Sequence, residues 1–218
     1  MSSVNDKVEE TIRKFICEFI EHPYLCYTEH GQHARFYQML YEALDPSQRY
    51  LTCMGQKVCV IQKEYPTASK LFKPQRQHWD IEIIKSPAES APGKKSAYDY
   101  LKLEAIVEFG MNEAEEHIDD DIKRLCHVEP NAETTAAHRY IVHLYRLSDS
   151  AISTFSGRDW ASDSKRILPY NDVNAVAQKI PGGKSVSIFY GMYDGKNKFE
   201  KGAWLIKDGR GPEKVTCK

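Results

Sequence analysis

The sequence predicts an α/β fold, with a small mixed central sheet flanked by helices. Three observations predict it. The runs His78 to Ile84 (HWDIEII) and Tyr100 to Asn112 (YLKLEAIVEFGMN) alternate at period two and are rich in Ile and Val, as short strands are. The segments Val4 to Glu21 and Thr28 to Leu44 instead carry apolar residues at helical spacing. After the second strand, a helical stretch leads into a further strand-like run, Arg139 to Leu147, and a strand–helix–strand crossover makes part of the sheet parallel.

In order, Val4 to Glu21 aligns Ile12, Phe15, Ile16, Phe19 and Ile20 on one face, and His22-Pro23 ends the helix. The second helix starts near Thr28, a good N-cap, and runs to about Leu44 before Asp45-Pro46. Its inward stripe is His33, Phe36, Tyr37, Leu40 and Leu44; one turn further back lies Glu29, with Gln32 close by. An acid there either complements the helix dipole or serves a site. Lys57 to Tyr65 reads as a strand stopped by Pro66. Thr67 to Gln77 holds Lys70, Lys73 and Arg76 and reads as a basic loop, either solvated or contacting phosphate. Ser86 to Ser96 reads as a flexible connection.

On the strand beyond, alternation puts Leu101, Leu103, Ala105, Val107 and Phe109 on one face and Lys102, Glu104, Ile106, Glu108 and Gly110 on the other. Asn112 to Leu125 is the crossover helix, with Ala114, Ile118, Ile122 and Leu125 inward. His138 and His143 read as sheet histidines satisfied by neighbours rather than as ligands. Ser150 to Tyr170 is barely legible; Asp172 to Ile180 reads as a short helix, and Ser185 to Tyr193 and Gly202 to Lys207 as two strands.

The whole, 1–218, is expected to be one domain, with an N-terminal helix 4–21 and a less legible part 150–218. A net charge of −1 gives no overall pull towards nucleic acid or membrane, so a nucleic-acid partner needs a local basic patch. With no apolar run long enough to span a bilayer and no signal-like N-terminus, a cytoplasmic location is expected. The cysteines (Cys17, Cys26, Cys53, Cys59, Cys126, Cys217) show no zinc spacing and are expected to be free thiols.

Asp80 and Glu108 stand out because a carboxylate in an apolar strand must be paired, hydrogen-bonded or metal-bound; buried bare, it costs several kcal/mol. The order of helix with inward Glu, strand, strand with Asp, strand with Glu, helix and strand resembles the PD-(D/E)XK nuclease superfamily, over roughly Thr28 to Leu147. Thr28-Glu29 with Gln32 resembles the family's helix Glu setting, Glu64-Tyr65-Pro66 a strand-end motif of some members, and His78-Trp79-Asp80 the metal-binding Asp. Ala105-Ile106-Val107-Glu108-Phe109 resembles the E-x of E-x-K, and the run HIDDDIKRL the helix that follows.

The resemblance implies a restriction-endonuclease-like fold and metal-dependent phosphodiester hydrolysis. It implies Mg²⁺ or Mn²⁺ held by Asp80, Glu108 and the Phe109 carbonyl, with Glu64 or Glu29 acting through water. It also implies nucleic acid, DNA first, as partner, with a homodimer or protein partner left open. Gly110 stands where the family has its lysine, which orients the attacking water and offsets phosphate charge. That favours an alternative, a catalytically inactive nuclease-fold module that binds nucleic acid or a protein. Lys63 and Lys123 are the candidates for a relocated lysine. A third reading is an unrelated α/β domain whose strand acids pair with Lys and Arg.

Overall fold

A computed structural model of the chain describes residues 2–53, 55–66, 78–87, 101–113, 115–126, 138–147, 175, 177–178, 180, 185–195, 200–207 and 210–217. The loop expected over Thr67 to Gln77 and the stretch Ser150 to Tyr170 lie outside these residues, as do most of the Ser86 to Ser96 connection and most of the Asp172 to Ile180 helix.

Helix α1 spans Val4–Glu21 and α2 spans Glu29–Ala43, the second starting at its expected Thr28 cap. Ser3 and Asp6 form a reciprocal cap: the Asp6 N–H donates to Ser3 Oγ at 3.1 Å and the Ser3 N–H to the Asp6 carboxylate at 2.9 Å. Thr28 Oγ1 accepts from the Gly31 N–H at 3.1 Å. The inward faces bury Ile12, Phe15, Ile16 and Phe19 of α1 and His33, Phe36 and Leu40 of α2, each large apolar side chain contributing about 1.5–3 kcal/mol. Arg35 of α2 grips Glu18 of α1 through one guanidinium edge, its Nη2 donating at 2.6 Å and its Nε at 2.8 Å.

The strands are β1 (Tyr50–Cys53), β2 (Gln56–Cys59), β3 (Ile61–Pro66), β4 (His78–Pro87), β5 (Leu101–Met111), β6 (His138–Leu147), β7 (Ser187–Asp194), β8 (Gly202–Lys207) and β9 (Glu213–Lys214), with α3 (Glu115–Cys126) between β5 and β6. β1 and β2 form a hairpin; β3 to β9 form a seven-stranded sheet in sequence order. Pairing is parallel at β5–β6 and β6–β7 and antiparallel elsewhere. The fold is therefore mixed α/β, with a sheet wider than the small one expected because β7, β8 and β9 extend it beyond β6. One face packs on α1 and α2, burying Phe15, Phe36, Val107 and Phe109; the other packs on α3, burying Ile106, Ile118, Ile122 and Tyr145. No helix among the described residues is long and apolar enough to cross a membrane.

Three expectations are corrected. Lys57 to Tyr65 is two strands, not one: at Val60 the chain leaves the hairpin for the main sheet, its N–H donating to the Arg49 carbonyl and its carbonyl accepting from the Ile84 N–H. Strict alternation along β5 fails at Glu104, because Ala105 pairs with Ile83 but Leu103 with Ile84. That bulge turns Leu103 to the α3 side while Ala105 stays on the other. Cys17 and Cys217 are not free thiols but a disulfide, formed because β8 and β9 return the chain's end to α1; Cys26, Cys53, Cys59 and Cys126 are in no disulfide.

A buried arginine fixes the link between the first two helices. Arg146 of β6 donates to the carbonyls of Pro23 at 2.6 Å and Tyr27 at 2.9 Å, and its guanidinium lies over the rings of Tyr24 and Tyr27. The start of α2, and with it Glu29, is thereby tied to the middle of the sheet.

Candidate active site

β4 and β5 pair with Ile81 opposite Val107, so Asp80 and Glu108 are neighbours at the end of the ladder. Asp80 Oδ2 accepts from the Phe109 N–H at 2.8 Å. The Phe109 ring lies on the opposite face, against Phe15, Phe36 and His33. Glu108 is 2% exposed. Burial first, then the charges of Asp121 and Asp80, push its carboxyl well above the ordinary range; Arg124 opposes them.

Arg124 of α3 is the counterweight to these acids. Its Nη2 bonds Glu108 Oε1 and donates to the His78 carbonyl at 3.2 Å, and its Nη1 lies 3.6 Å from Asp121 Oδ1. The guanidinium also sits over the Trp79 ring at 5.1 Å. Asp121 in turn faces two histidines. His117 Nδ1 is 3.3 Å and His143 Nε2 3.5 Å from Asp121 Oδ2. Asp121 raises His117 to about 9, whereas burial holds His143 below its ordinary value.

Gly110 sits directly opposite His143 in the β5–β6 register. A Cβ at Gly110 would lie 2.4 Å from His143 Cε1, 2.7 Å from Nε2 and 2.8 Å from Nδ1, so the imidazole occupies the space a side chain at this position would need.

The other predicted residues are more dispersed. Glu29 is half-buried at the start of α2, its carboxyl raised by burial and then by the charges of Asp80 and Glu113, which puts it in the same electrostatic field. Glu64 is exposed, with a left-handed backbone (φ 57°), and pairs with Lys63 at 3.2 Å at the rim rather than with the buried acids. Lys63 also meets His30 Nδ1 at 3.3 Å. Lys123 faces outward to Asp119 at 2.6 Å and is not a relocated lysine.

Sequence reasoning missed His117, Asp121 and Arg124 as a set. The signal was present: i, i+4 and i+7 lie on one helical face, and the apolar stripe of Ile118, Ile122 and Leu125 beside them fixes which face meets the sheet. Chemically, the arrangement offers an oxygen pair (Asp80, Glu108) beside a nitrogen-rich group (His117, Asp121, His143), with Arg124 shared between them. No protein-family model, curated protein or solved structure matches the chain.

Proposed function

We propose that the chain is a nuclease-like protein of restriction-endonuclease-like fold, carrying out weak, metal-dependent hydrolysis of phosphodiester bonds in nucleic acid. The observation that carries this reading is the convergence of Asp80 and Glu108 on adjacent strands, in the helix–strand–strand–strand–helix–strand order of the superfamily the sequence resembles. The donor set suits Mg²⁺ or Mn²⁺: both side chains offer oxygen, and burial followed by the charges of Asp121 and Asp80 raises the Glu108 carboxyl despite its pairing with Arg124, an imbalance a divalent cation would offset. When bound, such an ion lowers the pKa of water and screens phosphate charge. The chain's own residues orient the donors: the Phe109 N–H fixes Asp80, and Arg124 holds Glu108. Glu29 adds negative charge at the rim.

A second reading, a binding module for nucleic acid or a protein that does not cut, is favoured by the His143 ring over Gly110. A fully enclosed imidazole whose burial favours the neutral form cannot supply the lysine's charge to a phosphate.

Calorimetric titration with Mn²⁺, alongside cleavage and binding assays on duplex DNA, tests both. Binding lost in Asp80→Asn, with slow Mn²⁺-dependent cleavage by the native chain, supports the nuclease reading. Unchanged Mn²⁺ binding in Asp80→Asn removes it. Mn²⁺ and DNA binding without any cleavage leaves the binding module.

A further inference from the structure

We infer that His117, Asp121 and His143 form a second metal site, separate from Asp80 and Glu108 and selective for a borderline first-row divalent cation of the Zn²⁺ type. The three ligand atoms lie within 4.8 Å of one another. Around one ion with bonds of about 2.0–2.2 Å, tetrahedral ligands stand about 3.3–3.6 Å apart. The two distances to Asp121 Oδ2, 3.3 and 3.5 Å, already match that spacing.

Hydrogen bonding accounts poorly for the same contacts. His117 Nδ1 is enclosed and lies 3.3 Å from Asp121 Oδ2, at ion-pair distance but without a hydrogen bond between them. His143 Nε2 reaches the same oxygen only at the outer limit of a hydrogen bond, and its buried Nδ1 has no hydrogen-bond partner. Buried polar groups are ordinarily satisfied. Two imidazoles crowded on one carboxylate oxygen, neither well bonded to it, are arranged as donors to a shared cation.

The surroundings fit a ligand set. Asp121 uses its other oxygen, Oδ1, towards Arg124, which orients the carboxylate with Oδ2 to the histidines. His143 is fully buried and Asp121 is 2% exposed, whereas the His117 side chain is 42% exposed, so the group lies at the outer edge of the packing between α3 and the sheet. Two nitrogens and one oxygen select Zn²⁺, Co²⁺ or Fe²⁺ over Mg²⁺. Gly110 takes on a different meaning here: its missing side chain lets His143 lie over β5 and reach α3.

The site does not depend on the nuclease reading, and its test uses different variants and a different ion. The probe is Zn²⁺ by calorimetry, with Co²⁺ absorption as a report on coordination, in the full chain stripped of metal. One equivalent of Zn²⁺ should bind, more tightly than Mg²⁺. His117→Gln and Asp121→Asn should each weaken it by about tenfold or more, with loss of the Co²⁺ visible bands, while Asp80→Asn leaves it intact. His117 is the primary position because its half-exposed ring can be replaced without opening the core; the circular dichroism and thermal transition of each variant are recorded alongside. No Zn²⁺ binding by the native chain, or affinity unchanged in His117→Gln, overturns the site. Equal loss in Asp80→Asn and His117→Gln overturns its separateness.

Discussion

Gly110→Ala should destabilise the protein through His143, and the size of the effect follows from the geometry. A new Cβ at 2.4–2.8 Å from three ring atoms lies well inside van der Waals contact, and the ring is fully buried under α3 with no open side to move into. Overpacking of this kind costs about 1–3 kcal/mol. Against it, replacing glycine in a strand recovers about 0.5–1 kcal/mol of backbone entropy. With three ring atoms involved the clash belongs at the upper end, leaving a net loss of about 1–2 kcal/mol. Urea denaturation followed by circular dichroism and tryptophan fluorescence measures it as a lower midpoint at unchanged slope. His143→Ala closes a double-mutant cycle: once the ring is gone, Gly110→Ala should cost nothing further and may be read against the single variant directly. A Gly110→Ala protein as stable as the native chain, or a loss unchanged in the His143→Ala background, would refute the reasoning.

Two further predictions concern the other face of the sheet. Hydrogen bonds from Arg35 hold the Glu18 carboxyl below its ordinary value of 4.5, so this pair's contribution is present above that pH and lost as pH falls through the lower folded-state value. Glu18→Gln should therefore cost about 1–2 kcal/mol at neutral pH and close to nothing near pH 2, checked by urea midpoints at both; a pH-independent loss would show that packing, not charge, is responsible. Cys17→Ser, or reduction of the native chain, should cost about 2–5 kcal/mol because the bond closes a loop with a sequence separation of 200. Thermal transitions with and without dithiothreitol test this, and coincident curves would count against the bond.

What could be read from the sequence follows the range of the interactions. The start of α2 was legible because Thr28 with Gly31 acts within one turn, and α1 was legible from the helical spacing of Ile12, Phe15, Ile16 and Phe19; the Ser3–Asp6 cap, equally local, went unread. Asp80 and Glu108 could be singled out because an acid in an apolar strand is conspicuous, and the adjacency of their strands follows from the strand order. The His143 ring over Gly110 could not be read, since it depends on the parallel register of two strands separated by a helix. Nor could the Cys17–Cys217 bond, which depends on where the final strands bring the chain's end. The β1–β2 hairpin is only four residues per strand, too short for alternation to mark it; Gly55, at φ +74°, is its local turn signal.

Arg146 sets a timing constraint on the making of this protein. The carbonyls it holds, from Pro23 to Tyr27, precede it by 119 to 123 residues. At about 5–20 residues per second, the link between α1 and α2 is synthesised about 6–25 s before the residue that fixes it. Through that interval the two helices can pair through Glu18 and Arg35, but the link lacks its interior partner and the exposed carbonyls are hydrated. The link between the helices therefore reaches its final form only after β6 is laid into the sheet, although it is among the first parts of the chain to be synthesised.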